Sequence, residues 1–273
     1  MELPQSSDVT WAVTLRSDQS RMPLSSARAH VPFRTASVGK LLLLLEVARG
    51  IAAGELSRDA PLKRLAEDSV LDSGLWHTLS VDTLPLCDVA ALVGAVSDNL
   101  ATNVLLREVG LEAVTAATER LGMTRTALHD RVRDVRGPED PPALSSGTAL
   151  ELSWLAWRLA KGSAMGGEAD GLVRSWLSAG VDQSMVGAAF VDRFGLDPLA
   201  HHGSLGGELV YFNKTGTTAG VRADVGAASL GGHTVAWAAI ANWAPELDEK
   251  LGAEVLAGMR SIGGKIVAHL TQA

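Results

Sequence analysis

Residues 41–45 are five leucines in succession, set between Ser37-Val38-Gly39-Lys40 and Glu46-Val47-Ala48-Arg49-Gly50. A helix that faces water carries one apolar stripe and a polar opposite side, so a helix this apolar needs neighbours on most of its sides. The pattern predicts a helix over 37–49, ended by Gly50. The leucine run is far shorter than the roughly 18 apolar residues that span a bilayer, and Glu46 breaks it. The chain must therefore surround this helix with elements of its own. Its 273 residues, 47% of them apolar, suffice for a substantial core and exclude a disordered chain.

The partners are legible downstream. Residues 86–96, 100–108 and 111–121 read as helices, with Ser97-Asp98-Asn99 between the first two. Two further helices are expected at 148–161 and 168–178. Residues 54–80 are mixed and partly exposed. The stretch 123–147 is polar and rich in glycine and proline, which predicts a long loop. A glycine-rich connection over 180–206 has room for one short helix near residues 184–190. Strand patterns occur at both ends of the chain: 9–15, then 208–215, 221–229 and 234–243. Turns at 217–220 and 231–232 make the last three an antiparallel meander. Pro245 opens a final helix over 246–260, and nothing is assigned beyond 261. This order predicts an antiparallel sheet built from both termini, with a helical insertion between them.

Charge and cysteine content narrow the chemistry. Twenty-four basic and 31 acidic residues give a net charge of −7, which does not suit binding to nucleic acid or an anionic membrane. The single cysteine, Cys87, excludes an internal disulfide and a thiolate-rich metal site; in its apolar segment it reads as packing. His201-His202 lacks the acidic and histidine partners of a zinc site, so no metal or cofactor is expected. The first ten residues have neither a basic nor an apolar leader segment. A cytoplasmic monomer is expected, although a secreted chain already trimmed of its leader would look the same.

Three short motifs carry the chemistry. Ser37-Val38-Gly39-Lys40 opens the leucine-rich helix, where positions i and i+3 share one face. A lysine amine held in such an apolar helix loses proton affinity and can act as a base toward the serine. Taken alone the pattern is common by chance, and Ser37 reads as a helix cap and Lys40 as a snorkelling side chain. Ser97-Asp98-Asn99 lies between two helices, where Asp98 can brace the turn while a hydroxyl and an amide project into a cleft. Lys214-Thr215-Gly216-Thr217 ends a strand, where Gly216 leaves room for a ligand to approach the backbone.

S-x-x-K, S-D-N and K-T-G in that order form the signature of class A β-lactamases and penicillin-binding proteins. The chain resembles the class A β-lactamase family from about residue 9 to about residue 260. That resemblance implies a three-layer α/β sandwich with an inserted all-helical domain, the active site lying between them. In this sequence it divides the chain into an α/β part, 1–50 with 206–273, and a mainly helical part, 51–205. It implies Ser37 as the acylated nucleophile, Lys40 as its activator, and Ser97 as the proton relay to the leaving nitrogen. Asn99 would hold the substrate's side-chain carbonyl, and Lys214 and Thr215 would meet a substrate carboxylate. The backbone N–H groups of Ser37 and Thr217 would form the oxyanion hole. Arg222 is either a second carboxylate ligand or a surface arginine. Trp76 is either a stacking residue at the cleft rim or a core residue.

One part of the family pattern is missing. The loop 128–147 has no E-x-x-L-N segment, and Arg133 occupies the position of the deacylating glutamate. Asp130, Asp134 and Glu139 are carboxylates of that loop within reach of the site, and His129 is a further base. Asp134 and Glu139 are the candidates for activating the deacylating water. The expected function is therefore a serine-dependent hydrolase that opens a β-lactam or related cyclic amide on a small molecule through a Ser37 acyl-enzyme. The alternative is an esterase or small-amide or peptide hydrolase of the same fold with slow or no β-lactam turnover. A non-catalytic binding protein is the third option.

Overall fold

Strands form at both ends of the chain because β-branched and aromatic residues alternate there, and helices fill the middle. The computed structural model describes residues 7–199 and 209–272. The chain opens with β1 (Thr10–Ser17), β2 (Ser25–Ala27) and β3 (Phe33–Arg34), then a 3-10 turn over Ala36–Gly39 leads into α1 (Lys40–Ala52). Strands β4 (Pro61–Lys63) and β5 (Thr83–Pro85) precede α2 (Leu86–Val96), α3 (Asn99–Val109) and α4 (Leu111–Arg120). Next come β6 (Ala127–Leu128), β7 (Ser145–Gly147), α5 (Ala149–Ala160), α6 (Gly167–Ser178) and α7 (Ala188–Phe194). The last elements are β8 (Val210–Thr218), β9 (Val221–Leu230), β10 (His233–Asn242) and α8 (Asp248–Gln272).

The main sheet has the order β2-β1-β10-β9-β8 and is antiparallel throughout. The first and last strands of the sequence meet at its centre, with Thr10 opposite Asn242 and Ser17 opposite Val235. Alternation along the strands makes two apolar faces. Trp11, Val13, Tyr211 and Trp237 pack with Phe190 of α7 and with Val255, Met259 and Ile262 of α8. Ala12, Phe212, Val225 and Ile240 face the other way, into the core that contains α1 and α5. The sheet is thus the middle layer of a sandwich. Leu41 to Leu45 are all buried, and α1 is packed by α2, α3, α4 and α6. No helix among the described residues is long and apolar enough to cross a membrane.

Three sequence expectations shift. Gly50 does not end α1; the helix runs on to Ala52, and Leu56 folds over Gly50, where a Cβ would meet Leu56 Cδ1 at 2.7 Å. The last helix continues twelve residues past its expected end, to Gln272, because Ile262, Ile266 and Leu270 extend its buried stripe. The loop 123–147 contains β6 and β7, which pair with each other, and β7 also pairs with β3.

The turn between α2 and α3 is the joint on which the site is built. Ser97 ends α2 in the left-handed conformation, with φ +56° and ψ +35°. Asp98 is completely buried and caps α3 by accepting Ala101 N–H at 2.8 Å. Its second oxygen accepts the N–H groups of Leu75 at 2.7 Å and Trp76 at 2.8 Å. Gly74 has no Cβ because one would fall 2.5 Å from the Asp98 carboxyl carbon. One carboxylate therefore ties the 69–80 segment to the start of α3. Asp98→Ala leaves three backbone donors without their acceptor, and its cost is expected at about 3 kcal/mol, read as a lower urea midpoint. A midpoint within experimental error of the parent contradicts this role.

Candidate active site

The turn carrying Ser37 is strained and held from two sides. Ala36 has φ +48° and is buried, a conformation that costs energy for any residue with a Cβ. The Ser145 hydroxyl donates to Ala36 O at 2.6 Å and lies 2.7 Å from Thr35 Oγ1, while Thr35 N–H donates to Ser145 O at 3.2 Å. From the other side, β8 presses against the turn. A Cβ on Gly216 would fall 2.2 Å from Thr35 O and 3.1 Å from Ser37 N. The space at Gly216 is thus filled by the chain itself, not left for a ligand. This close approach sets the strand bearing Thr217 beside the serine. Ser37 is half-buried, and together with Thr217 it lines a cleft of about 750 Å³.

Beneath Ser37 the Lys40 side chain is completely buried. Its Nζ donates to Ser97 O at 2.6 Å and to Asn99 Oδ1 at 2.6 Å, and lies 3.3 Å from Ser97 Oγ. Burial lowers its proton affinity well below that of an ordinary lysine, and the nearby Lys214 lowers it further; Asp98 and Asp72 oppose this. A neutral amine has two N–H groups and one lone pair. Ser97 O and Asn99 Oδ1 can only accept, so they take the two donors and leave the lone pair for a hydroxyl.

Lys214 approaches Ser97 from β8. Its Nζ donates to Ser97 Oγ at 3.0 Å and to Thr215 O at 2.9 Å. Burial brings its pKa down to about 8, against the pull of Asp182 and Asp224. One hydroxyl thus bridges two amines. Asn99 uses one amide N–H on Leu71 O at 3.2 Å; its Nδ2 carries a second. Thr215 also lines the cleft, as does Arg222, whose guanidinium donates to Thr218 O and Val221 O and lies 3.4 Å from Asp248. Arg34, which the sequence did not single out, lines the same end and donates to Trp243 O at 3.3 Å.

The loop 128–147 is organised by Asp130, which accepts from Arg133 at 2.6 Å, Arg136 at 2.8 Å and Arg131 N–H at 2.8 Å. Burial raises its pKa, but these donors outweigh that and hold it below the usual carboxylate range. The side chain of Asn103 on α3 anchors the loop through both Val132 N–H and Val132 O. Asp134 lines the cleft and accepts Leu71 N–H on Oδ1 at 2.8 Å. Glu139 is exposed and does not border the cleft.

A family profile described as the β-lactamase enzyme family matches residues 5–270. The chain belongs to that family. The β-lactamase family works as serine hydrolases, opening β-lactams through an acyl-enzyme, and this chain is such an enzyme. Among curated proteins none matches. Among solved structures, the β-lactamase from Sphaerobacter thermophilus DSM 20745 superposes with a TM-score of 0.81 at 22% identity, covering 97% of this chain and 93% of that one. PBP-A follows with a TM-score of 0.79 at 15% identity, covering 99% and 93%. The chromosome-encoded β-lactamase of Vibrio parahaemolyticus gives 0.78 at 18% identity, covering 97% and 95%. At these identities the likeness is one of β-lactamase fold.

Trp76 is a correction to the sequence expectation. It is fully buried in the core, donates its indole N–H to Val81 O at 3.0 Å, and does not line the cleft. Glu139 likewise has no access to the cleft. His129 is exposed and bonds Ser146 Oγ at 2.8 Å. Cys87 packs against the core. His201 and His202 lie outside the described residues. Sequence reasoning missed Ser145, Asp72 and Arg34, whose roles depend on contacts across distant segments that no local motif signals.

Lys214 predicts a falling limb in the pH profile. Reactivity toward a β-lactam should fall near pH 8 as Lys214 loses its proton. An arginine stays protonated through this range. Lys214→Arg should therefore shift the falling limb upward by more than about one pH unit, whatever its effect on the maximum. A falling limb that stays where it was contradicts the assignment.

Proposed function

We propose that Ser37 is the nucleophile of this β-lactamase-family hydrolase, that Lys40 is its base, and that Asp134 completes turnover by activating water. The observation that carries the reading is the Ser97 hydroxyl shared between a buried, base-shifted Lys40 and Lys214. Ser37 Oγ attacks the lactam carbonyl while its proton passes to the lone pair of Lys40. The developing oxyanion is met by the backbone N–H groups of Ser37 and Thr217. The carbon–nitrogen bond then breaks, and the nitrogen takes the Ser97 proton. Lys40, now protonated, or Lys214 returns a proton to Ser97. Lys214, Thr215 and Arg222 form a cationic and hydroxyl wall suited to a substrate carboxylate, and Asn99 offers its second amide N–H to the acyl side-chain carbonyl.

Deacylation needs a group that draws a proton from water. Of the two loop carboxylates considered from the sequence, Asp134 borders the cleft and keeps Oδ2 free of the bond to Leu71, whereas Glu139 is remote from it. The short arm of Asp134, half committed to the backbone, favours an acyl-enzyme that breaks down slowly. A solved mutant of PBP-A is an acyl-enzyme complex with penicillin G, which makes that antibiotic a natural first probe.

Intact-mass and colorimetric measurements with a penicillin and a chromogenic cephalosporin test this reading. The parent should acquire the mass of the opened antibiotic and lose it again on turnover. Ser37→Ala should lose the adduct and at least about a thousandfold in rate. Asp134→Asn should acylate like the parent but release product about a hundredfold more slowly or less, so that the adduct persists. Equal release from parent and Asp134→Asn overturns the water-activating role. Absence of any adduct, with Ser37-dependent cleavage of a short-chain ester, points to an esterase.

A further inference from the structure

The polar contacts of the site form a continuous row that ends on the carbonyl of Leu71, next in the chain to a carboxylate to which the mechanism above gives no step. Lys214 Nζ lies 3.0 Å from Ser97 Oγ, which lies 3.3 Å from Lys40 Nζ. Lys40 Nζ lies 2.6 Å from Asn99 Oδ1, and Asn99 Nδ2 lies 3.2 Å from Leu71 O. The next residue is Asp72, which lines the cleft with its side chain exposed. Its backbone is held on both sides. Leu71 N–H donates to Asp134, while Ser73 O accepts Asn99 N–H at 2.9 Å and Ser73 Oγ donates to Val96 O at 3.1 Å. Asn99 thus bonds the residues before and after Asp72. With φ +74°, Asp72 occupies the left-handed region, where aspartate and asparagine are the best tolerated residues after glycine.

The neighbouring charges leave the Asp72 end negative. Arg133 is paired with Asp130 and Asp140, and Arg136 with Asp130. Asp134 keeps one oxygen beyond its bond to Leu71. At the other end Lys214, Arg222 and Arg34 contribute positive charge, met mostly by neutral backbone carbonyls. A substrate laid along the row, its carboxylate at Lys214 and its acyl side-chain carbonyl at Asn99, brings the next acyl substituent to Asp72.

We propose that Asp72 is a specificity residue that selects acyl donors with an ammonium group on the acyl side, so that the preferred substrate is zwitterionic. The proposal rests on the assignment of Ser37, Asn99 and Lys214 made above. It predicts a preference for a penicillin whose side chain carries an α-amino group over the same penicillin without it. An exposed ion pair supports a preference of about fivefold in kcat/KM, and about 0.5 M salt should reduce it.

The test compares these two penicillins on the full chain and on Asp72→Asn, at low and high salt. Asparagine accepts the left-handed backbone, so the change removes charge and keeps shape. The ratio of kcat/KM, amine-bearing over amine-free, should exceed one in the parent, fall with salt, and approach one in Asp72→Asn. A parent ratio at or below one, or a ratio that neither salt nor Asp72→Asn changes, overturns the role of Asp72 alone if both penicillins still acylate Ser37. Failure of both to acylate Ser37 overturns the serine assignment and this proposal together.

Discussion

The structure turns on an amine taken entirely out of water. Burying Lys40 as a cation without compensation is expensive, and the chain meets that cost by supplying Ser97 O and Asn99 Oδ1, both at 2.6 Å. These acceptors exist only if the turn after α2 holds Ser97 in its left-handed conformation and Asp98 in place. Asp98, in turn, is held by N–H groups from residues 75, 76 and 101. The leucine-rich helix, the α2–α3 turn and the 69–80 segment are therefore one mechanical unit. Burial and the nearby charge of Lys214 both make the proton of Lys40 easier to lose than that of an ordinary lysine. The geometry that stabilises the fold here also suits Lys40 to the part of base proposed for it.

The division of labour between the cations follows from the same physics. Arginine builds scaffolding: Arg133 and Arg136 gather the 128–147 loop around Asp130, and Arg107 binds Asp68 beneath it. Its guanidinium stays protonated and offers several directed donors. Lysine, present only six times in the sequence, occupies the two buried positions where a titratable amine matters. Replacing the deacylating glutamate of the family pattern by Arg133 makes the loop a well-tied structural element. In the proposed reading water activation falls to a shorter carboxylate, Asp134, that also fastens the loop to Leu71.

Much of this was legible in the sequence where chemistry and local pattern coincide. Ser37, Lys40, Ser97, Asn99, Lys214 and Thr217 sit in short motifs whose residue types have few other reasons to occur together; the structure brings all but Lys40 to the lining of one cleft, and Lys40 lies buried against Ser97 and Asn99. The sheet from both termini followed from alternation and glycine turns. What escaped depends on distant contacts. Trp76 resembled a rim aromatic, but Asp98 and Val81 O hold it inside. Ser145 braces the turn carrying Ser37 across more than a hundred residues of chain. Gly258, Gly263 and Gly264 obscured the end of α8, although a Cβ at Gly263 would fall 2.3 Å from Val186 O and the residue is there for close packing. Periodicity reports which side of an element is apolar; it does not report what that side meets.

The central claim is that burial and the neighbouring Lys214 make Lys40 give up its proton more readily than an ordinary lysine, as the base proposed for Ser37 must. An NMR titration of the lysine side chains, labelled at Cε and assigned through a Lys40→Arg variant, measures this directly in a chain with so few lysines. The Lys40 signal should titrate well below the ordinary lysine value of about 10.4. A Lys40 midpoint at or above that ordinary value contradicts the claim.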